Sequence, residues 1–310
     1  MNVIYFFYFC IPIRNSDTKE KIMIDRCYIE ITNTCNLNCD FCPKHQRPRR
    51  QLTLEEFNLL TDRVQNKVCF LYFHLMGEPM LHPLLPQFVA IARQKGFKTV
   101  LTSNGTLIAR CMDLLDSLPH KIQLSLHSHE SNNGGELPAY IHEVMHFATQ
   151  AAQKGTCMVL RLWNQGGRDL ENEEVMRLIE KAAPRPWRER PDGYRLAENL
   201  YLEFDRKFEW PSSAEEAEND GPDKREVFCK ALIKQIGVLA DGSLVPCCLD
   251  HNGDVVLGNL FSQSLEEILS SPRARAMVEG FSHHAATEKL CQNCESALVS
   301  NSFRGKARRS

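Results

Sequence analysis

The chain has 310 residues, of which 43% are hydrophobic and 25% charged, a composition typical of a globular enzyme with one large domain and a small appendage. Its formal net charge of −2 excludes the strongly basic surface that nucleic-acid binding requires, so no nucleic-acid partner is expected. The 13 cysteines, an odd number grouped at short spacings, argue against a secreted disulfide scaffold. They indicate thiolates reserved for metal in a reducing cytoplasm.

Residues 1–23 are predicted to form an apolar N-terminal extension. Its apolar run is too short to cross a bilayer, which takes about 20 residues, and it lacks the features of a secretory signal. We therefore expect no integral membrane span and a cytoplasmic location. The extension is interpreted as interfacial or disordered sequence, or as an upstream start with translation beginning at Met23. A membrane anchor or a packed strand is the alternative.

Between residues 24 and 208, apolar runs of strand length alternate with helical patterns. The predicted strands cover 27–32, 69–75, 98–103, 121–127, 158–163 and 199–204. The predicted helices cover 53–64, 84–95, 107–117, 137–153 and 171–182. Such alternation implies parallel strands, hence either an α/β barrel or a doubly wound sheet, and periodicity alone does not choose between them.

Two segments interrupt the alternation. Residues 184–195 are rich in Pro and Arg and are predicted to be a loop, and residues 209–228 read as an acidic linker. Residues 229–298 are predicted to form a small α+β domain with a hairpin over 234–248, a helix over 264–279 and a cysteine knuckle. A basic tail over 299–310 ends the chain.

The loop after the first predicted strand carries Cys35, Cys39 and Cys42, spaced Cys-x3-Cys-x2-Cys. A structural zinc site needs four ligands, whereas three cysteines suit a [4Fe–4S] cluster in which one iron has no protein ligand. Phe41 could shield such a cluster from water. The alternative is a zinc site with His45 as the fourth ligand.

This spacing, with an aromatic residue before the last cysteine, resembles the signature of the radical S-adenosylmethionine (SAM) superfamily. The resemblance implies a partial parallel (β/α)6 TIM-like barrel with the cluster at its C-terminal mouth. It also implies that the open iron binds SAM and that one electron cleaves SAM. The resulting 5′-deoxyadenosyl radical then abstracts a substrate hydrogen. A ferredoxin- or flavodoxin-type protein is the expected electron donor.

Gly77-Glu78-Pro79, after the second predicted strand, resembles the segment of this family that holds the SAM ammonium group. A carboxylate is a favourable partner for a fixed cation, and glycine allows close backbone approach. Three further residues at predicted strand ends are candidates for SAM binding: Asn104, Ser125 and Arg161. Ordinary strand-end polarity is the alternative for these three.

Four cysteines in the small domain resemble the auxiliary-cluster region called SPASM in its long form and twitch in its short form. They are Cys229, Cys247, Cys291 and Cys294. Since no cysteine follows residue 294, one auxiliary [4Fe–4S] cluster is expected. The spacing favours Cys247 over the adjacent Cys248. A structural zinc knuckle is the alternative.

The remaining cysteines are expected to be small buried hydrophobes: Cys10, Cys27, Cys69, Cys111 and Cys157. Three histidines could orient substrate or could be structural: His74, His82 and His127. Asp250 is a weak catalytic candidate, because it could take a substrate proton beside the auxiliary cluster.

Together these features predict a radical SAM oxidoreductase that catalyses the net oxidation, a dehydrogenation, of a small molecule or a peptide side chain. Fold alone does not identify the substrate. Radical cross-linking of a ribosomal peptide is the alternative reaction. A non-enzymatic iron–sulfur or zinc module is the alternative from another functional class.

Overall fold

A computed structural model describes residues 24–132, 135–167, 169–207, 209–212 and 226–297. The predictions for the extension over 1–23, for linker residues 213–225 and for the tail over 299–310 lie outside these ranges. No helix within the described ranges is both long and apolar enough to cross a membrane.

Within the described residues, eleven strands form a single sheet. The strands are β1 (Ile24–Ile29), β2 (Val68–Tyr72), β3 (Lys98–Ser103), β4 (Lys121–Ser125), β5 (Cys157–Gln165), β6 (Arg188–Arg190), β7 (Gly193–Ala197), β8 (Leu200–Arg206), β9 (Gln235–Val238), β10 (Ser243–Val245) and β11 (Gly258–Asn259). They are ordered β11-β10-β9-β1-β2-β3-β4-β5-β8-β7-β6, and the run from β1 to β8 is parallel throughout. This arrangement confirms the predicted α/β class and partial (β/α)6 barrel.

The helices of the described part cover the connections between these strands. They are α1 (Leu54–Val64), α2 (Leu85–Gln94), α3 (Leu137–Gln153), α4 (Asn172–Ala182), α5 (Leu265–Leu269), α6 (Pro272–Ser282) and α7 (Lys289–Gln292). The predicted start of α1 is confirmed, because Thr53 and Glu56 make both hydrogen bonds of a capping box. Phe57 and Leu60 then bury its apolar face.

Two helix predictions were wrong. The segment 107–117 forms two 3-10 turns, Ile108–Arg110 and Met112–Asp116. The sequence did not reveal this, because over eleven residues an apolar period of 3.0 residues cannot be distinguished from the 3.6 of an α-helix. The predicted helix over 264–279 is two helices, α5 and α6. Pro272 supplies no backbone N–H for a continuous helix, and Ser271 caps the second one.

The loop prediction for 184–195 was also wrong, since β6 and β7 form an antiparallel hairpin at the sheet edge. Arg188, Glu189 and Arg190 disfavour a strand by propensity, but charged residues are common on edge strands. Gly193 permits the pairing, because a Cβ there would lie 2.1 Å from the Leu202 carbonyl oxygen.

The small C-terminal region continues the barrel sheet. β9 pairs in parallel with β1, with Tyr28 opposite Gly237, and β10 and β11 extend the sheet outward. Gly237 leaves no room for a side chain, since a Cβ there would lie 2.7 Å from Val245 and 2.8 Å from Leu75. The auxiliary cysteines are therefore fixed directly to the first strand of the barrel.

Candidate active site

The Cys35–Cys42 loop follows β1 at the C-terminal end of the parallel strands, where barrel enzymes place their chemistry. Cys35 is exposed, Cys42 is half-buried and Cys39 is buried. Burial raises the pKa of the Cys35 thiol, and Cys39 and Cys42 are close enough to contribute to the rise. The backbone N–H of Leu37 donates to Cys35 Sγ at 3.4 Å.

The segment after β4 holds this loop through side chains that the sequence did not single out. Asn132 Nδ2 donates to Cys39 Sγ at 3.1 Å, and Asn132 Oδ1 accepts from the Asn38 N–H at 2.7 Å. Ser131 Oγ donates to Asp40 Oδ1 at 2.9 Å. These partners lie more than 90 residues apart in sequence, so no local spacing could have indicated them.

The donor set of this loop fits a multi-iron cluster. Among the described residues, no group of three or more His, Cys, Asp or Glu side chains converges on a point that could hold one metal ion. In an iron–sulfur cluster each cysteine binds a different iron, and N–H donors to sulfur tune the cluster. His45 Nε2 lies 2.8 Å from the Asn33 carbonyl oxygen, and His45 Nδ1 has no hydrogen-bond partner among the described residues.

Gly77 brings the loop after β2 against the backbone that leads into the cysteine loop. Its φ is +79°, and a Cβ at this position would lie only 2.3 Å from the Thr32 carbonyl oxygen. The next N–H, that of Glu78, donates to the Thr34 carbonyl at 2.9 Å. Only glycine combines this backbone conformation with such close approach.

The Glu78 carboxylate links the loop after β2 to the loop after β3 at the barrel mouth. Its Oε2 accepts from the Asn104 N–H at 2.8 Å and its Oε1 from the Met80 N–H at 2.9 Å. It is 2% exposed, and burial raises its pKa. A carboxylate offers about four acceptor positions, so two of them are used within the protein. Pro79 begins the 3-10 turn that supplies the Met80 N–H.

The other SAM-binding candidates lie just after β3, at the end of β4 and, for Arg161, in the middle of β5 rather than at the predicted strand end. Asn104 Nδ2 donates to Asn36 Oδ1 in the cysteine loop at 3.0 Å. Its own carbonyl accepts from the Tyr140 hydroxyl at 2.7 Å. Ser125 is half-buried at the end of β4, in register with Arg161 on β5. The structure thus brings Asn104 to the cysteine loop, and Ser125 to Arg161.

The auxiliary cysteines come together from separate parts of the small region. Burial raises the pKa of Cys247 well above its ordinary value, and Cys229 and Cys291 contribute to the rise. Burial, then Cys229 and Cys294, raise the pKa of Cys291 to about 12. Cys229 is therefore close to Cys247, Cys291 and Cys294, and the adjacent Cys248 also lies close to Cys247.

Cys248 lies between the auxiliary thiols and β1. Its thiol is hydrogen-bonded to the side chain of Tyr28 and lies near Arg26, both on β1, and it is also close to Cys294. It packs beside the buried cluster of Tyr28, Tyr72, Leu75, Met76, Val100, Leu239 and Val245, which Cys42 also borders. We call this set the central cluster. The geometry favours Cys247 as the fourth auxiliary thiol.

Asp250 has a structural role in the described residues. It is 1% exposed, and its two carboxylate oxygens accept from the N–H groups of Asp254 at 2.8 Å and Val255 at 2.9 Å. These bonds close the turn that follows Cys248. They favour a turn-stabilising role over proton transfer from a substrate.

The three histidine candidates differ in their surroundings. His82 Nε2 lies 3.0 Å from the Leu52 carbonyl, which favours a structural role. His127 Nδ1 lies 3.2 Å from the Arg161 carbonyl oxygen and 3.3 Å from the Trp163 nitrogen, and its ring lies 4.9 Å from that of Phe41. His74 Nδ1 is buried without a hydrogen-bond partner, and burial lowers the His74 pKa to about 3.

Glu30, the first residue after β1, connects the cysteine loop to the small region. It is fully buried and accepts from Arg47 Nη1 and Nη2, both at 2.6 Å, from the Met76 N–H at 3.2 Å and from the Ala240 N–H at 3.0 Å. Arg47 also donates to the His251 carbonyl at 3.2 Å. Bidentate pairing of this kind is strong and directional. The sequence reasoning missed both residues.

Comparison with known proteins identifies the family. Residues 29–185 match the family model of the radical SAM superfamily, and residues 229–295 match an iron–sulfur cluster-binding domain of the SPASM type. The chain belongs to the radical SAM superfamily. It is therefore a radical SAM enzyme whose cofactors are a [4Fe–4S] cluster, SAM and an auxiliary iron–sulfur centre.

Curated relatives of this radical SAM enzyme have several activities. The chain is 37% identical over 100 residues to a GTP 3′,8-cyclase of Chlorobaculum tepidum, covering 30% of this chain and 29% of that protein. It is 27% identical over 161 residues to a probable GTP 3′,8-cyclase of Pyrobaculum aerophilum, covering 49% and 52% respectively. A tRNA 4-demethylwyosine synthase of Pyrococcus abyssi is 30% identical over 118 residues, covering 36% of this chain and 34% of that protein. The chain thus spans about half, or less, of the length of these relatives.

Solved structures share the whole architecture at low sequence identity. BtrN in complex with AdoMet and 2-DOIA superposes with a TM-score of 0.54 and 15% identity, covering 88% of this chain and 93% of that one. Streptococcus suis SuiB bound to S-adenosylmethionine gives 0.60 and 16%, covering 92% and 75%. These likenesses establish the fold of the radical SAM enzyme and leave its substrate to be argued from the site.

Proposed function

We propose that this radical SAM enzyme is an oxidoreductase that removes two hydrogen atoms, as two electrons and two protons, from a small molecule or a peptide side chain. The observation that carries the proposal is the central cluster. Cys42, from the first cysteine set, and Cys248, beside the second set, border the same seven buried side chains. A substrate within the barrel would therefore lie between the two sets.

The proposed metal ligands follow from the two groups of thiols. Cys35, Cys39 and Cys42 would hold the SAM-binding [4Fe–4S] cluster. Four cysteines of the small region would hold an auxiliary [4Fe–4S] cluster: Cys229, Cys247, Cys291 and Cys294. When bound, these groups and SAM supply hydrogen abstraction from the substrate and a one-electron acceptor. A ferredoxin- or flavodoxin-type protein is the proposed electron source.

The side chains at the barrel mouth would position SAM and exclude water. Gly77 and Glu78 form the loop proposed to receive the SAM ammonium, and Asn104 fixes that loop to the cysteine segment. Phe41, the residue before Cys42, packs against His127 and would shield a cluster bound there from water. Exclusion of water protects a reactive intermediate from side reactions. Pro79, Ser125 and Arg161 complete the proposed SAM contacts.

The oxidation rests on the arrangement within the barrel, because the curated relatives are named as cyclases and synthases as well. A cyclisation or cross-link could also use two cysteine sets around one interior. In a redox-neutral reaction, the product radical takes up one electron. In an oxidation, the substrate radical gives one electron to an acceptor for each substrate consumed. The stoichiometry of electrons therefore distinguishes an oxidation from a redox-neutral reaction. A cross-link formed from two X–H groups also loses two hydrogen atoms, and fragmentation of the product in the mass spectrometer distinguishes it from a dehydrogenation.

The experiment compares wild type with a Cys291→Ala, Cys294→Ala variant, using anaerobic holoenzyme, SAM and a chemical reductant. For any compound that stimulates 5′-deoxyadenosine release, mass spectrometry should find a product lighter by two hydrogen atoms. The double variant should still cleave SAM but form no such product. Its matched control is the Cys69→Ala, Cys157→Ala variant, which alters cysteines of β2 and β5 outside both sets and should behave as wild type.

Circular dichroism must show that the double variant folds, because loss of a metal site can unfold a small region. A normal yield of the oxidised product from a folded double variant would contradict the proposed electron acceptor. A product of unchanged mass from wild type would contradict oxidation and leave the radical SAM assignment intact.

A further inference from the structure

A short segment at the start of the predicted acidic linker connects the two cysteine sets. It consists of Trp210, Pro211 and Ser212, which follow β8 at the C-terminal end of the barrel strands, and we call it the strap. Trp210 is half-buried and Pro211 is buried, so the strap packs against the protein rather than extending into solvent. Each of its two ends accepts or donates a hydrogen bond to a different cysteine segment.

The first end of the strap holds the peptide unit that precedes Cys42. Trp210 Nε1 donates to the Phe41 carbonyl oxygen at 3.0 Å. The N–H of the same peptide unit, that of Cys42, donates to the Cys39 carbonyl oxygen at 3.3 Å. Because a peptide unit is planar, fixing both its carbonyl and its N–H fixes the direction in which the chain enters Cys42. Trp210 therefore sets the position of the last cysteine of the first set.

The Trp210 ring also occupies the corner between the cysteine loop and the small region. It meets the His251 ring edge-on, with the ring centroids 5.7 Å apart and the planes at 76°. His251 follows Cys248 by three residues, and its carbonyl accepts from Arg47 of the segment after the first cysteine set. An indole suits such a corner, because its ring packs against other side chains while its N–H finds an acceptor. Trp210 is thus held by contacts with both regions.

The second end of the strap is held by the auxiliary knuckle, the turn from Cys291 to Cys294. Asn293 Nδ2 donates to the Ser212 carbonyl oxygen at 3.0 Å. Asn293 lies between the two cysteines, at the point where α7 ends. The knuckle is closed by the Cys294 N–H, which donates to the Cys291 carbonyl oxygen at 3.4 Å. The direction of the Asn293 side chain therefore depends on the fold of the knuckle.

The strap is too short and too stiff to absorb a shift at one end. Its two anchored residues are separated by one residue, so their Cα atoms lie at most about 7 Å apart. That residue, Pro211, has a φ angle fixed by its ring, and it restricts the preceding Trp210 to extended backbone. A displacement of Ser212 is therefore transmitted to Trp210, and a displacement of Trp210 alters its contact with the Phe41 carbonyl.

We propose that Trp210 is a positioning residue for Cys42 and that the auxiliary knuckle keeps Trp210 in place through Asn293. The inference rests on the proposed function only in taking Cys42 as a ligand of the first cluster. Phe41, whose carbonyl Trp210 holds, packs against His127 and would lose this fixed position if Trp210 moved. The first cluster is therefore fully enclosed only in an enzyme whose auxiliary region is assembled.

The test follows the backbone N–H of Cys42 in anaerobically reconstituted holoenzyme, by hydrogen–deuterium exchange and mass spectrometry. Trp210→Phe keeps an aromatic ring and removes the N–H donor. Asn293→Ala removes the hydrogen bond at the other end and leaves every cysteine in place. Trp187→Phe is the matched control for the first change, because it also loses an indole hydrogen bond to a backbone carbonyl, one of 2.8 Å. Gln292→Ala, which changes the neighbouring knuckle residue, is the control for the second.

Both test variants should raise the exchange rate of the Cys42 N–H by about three- to tenfold, the effect of losing one hydrogen bond. The Asn38 N–H, which Asn132 holds independently, should exchange at the wild-type rate. Because the two contacts act in series, the double variant should exchange no faster than the faster single variant. The change that SAM binding causes in the electron paramagnetic resonance signal of the reduced enzyme should also differ from wild type in both variants, and in neither control.

Wild-type exchange of the Cys42 N–H in Asn293→Ala would overturn the link to the auxiliary knuckle, and wild-type exchange in Trp210→Phe would overturn the role of Trp210. Effects that multiply in the double variant would show two independent contacts and equally overturn the proposal. So would a Gln292→Ala variant that matches Asn293→Ala, because the effect would then reflect a general loosening of the knuckle. Exchange is measured without turnover, so failure of the oxidation would leave this result unaltered.

Discussion

The two cysteine sets are held in different ways. The first lies within eight residues of one loop and is fixed by polar side chains from neighbouring strand ends, such as Asn132 and Asn104. The second is assembled from positions 229 to 294, and its thiols pack against the main hydrophobic core. One set is thus local and held by hydrogen bonds, while the other is assembled from distant positions and held by burial.

The comparison teaches that the two sites should depend differently on metal. The polar contacts of the first loop are made by protein groups alone, so the loop should keep its place without iron. The auxiliary thiols Cys247 and Cys291 are buried, and burial raises their pKa values. Metal binding should therefore contribute directly to folding of the second region. The following predictions test that contrast, from the largest effect to the smallest.

Cys39→Ala should abolish reductive SAM cleavage, because the proposed cluster would lose one of three protein ligands. Release of 5′-deoxyadenosine, measured by chromatography, should fall by at least about a thousandfold, in line with loss of an essential catalytic group. The fold should persist, since the loop is held by Asn132 and Asn104. Cys69→Ala on β2 is the control. If the Cys39→Ala variant cleaved SAM at the wild-type rate, the first cysteine set would not be required for catalysis.

Glu30→Gln should lower the free energy of unfolding by about 3–5 kcal/mol, the usual cost of removing one partner from a buried ion pair. Arg47 would keep its charge with only the His251 carbonyl as an acceptor among these contacts. Chemical denaturation of the holoenzyme measures the change. Adding Arg47→Met should recover part of the loss, because the double variant leaves no unpaired charge. A decrease in the free energy of unfolding of less than about 1 kcal/mol would mean that the Glu30–Arg47 ion pair behaves as one exposed to water.

Gly77→Ala should lower stability by about 1–3 kcal/mol through backbone strain alone, and the close contact with Thr32 should displace the loop that carries Glu78. SAM affinity, measured by equilibrium dialysis, should fall with it. Gly155→Ala is the matched control, since Gly155 also has a positive φ, of +94°, but has nothing within 4 Å of an added Cβ. Equal effects of the two variants would show that only the backbone conformation of Gly77 matters and that its close approach to Thr32 does not.

Asn132→Ala should have the smallest effect, because it removes hydrogen bonds and leaves all three thiols. The loss of one N–H donor to Cys39 Sγ should alter the electron paramagnetic resonance signal of the reduced first cluster and slow SAM cleavage by roughly tenfold. Ser131→Ala, which loses only the contact to Asp40, is the control. An unchanged spectrum would show that Asn132 stabilises the backbone of the cysteine loop and does not affect the cluster.

The sequence indicated those parts of the site whose chemistry depends on local spacing. Cys35, Cys39 and Cys42 stand on one loop, and Gly77-Glu78-Pro79 follows one helix and one strand later. The alternation of apolar runs gave the six parallel strands for the same reason. These features need only a few adjacent residues to be recognisable.

Features that depend on long-range pairing could not be predicted. Glu30 gains its role from Ala240, which is 210 residues away, and Asn132 gains its role from Cys39, 93 residues away. The two orientations of Cys247 and Cys248 depend on how β10 joins the barrel sheet. Asp250 is next to the auxiliary cysteines in sequence, but its oxygens are taken by the N–H groups of the following turn. Its catalytic role stays a prediction.

The account depends most on both cysteine sets holding iron–sulfur clusters around one interior, and metal analysis tests this directly. Anaerobically reconstituted wild type should contain about eight irons and no zinc, from two clusters of four irons each. The Cys291→Ala, Cys294→Ala variant should contain about four irons and still cleave SAM. About four irons with one zinc in wild type would contradict the account, because the second set would then hold a structural zinc ion, which cannot accept an electron.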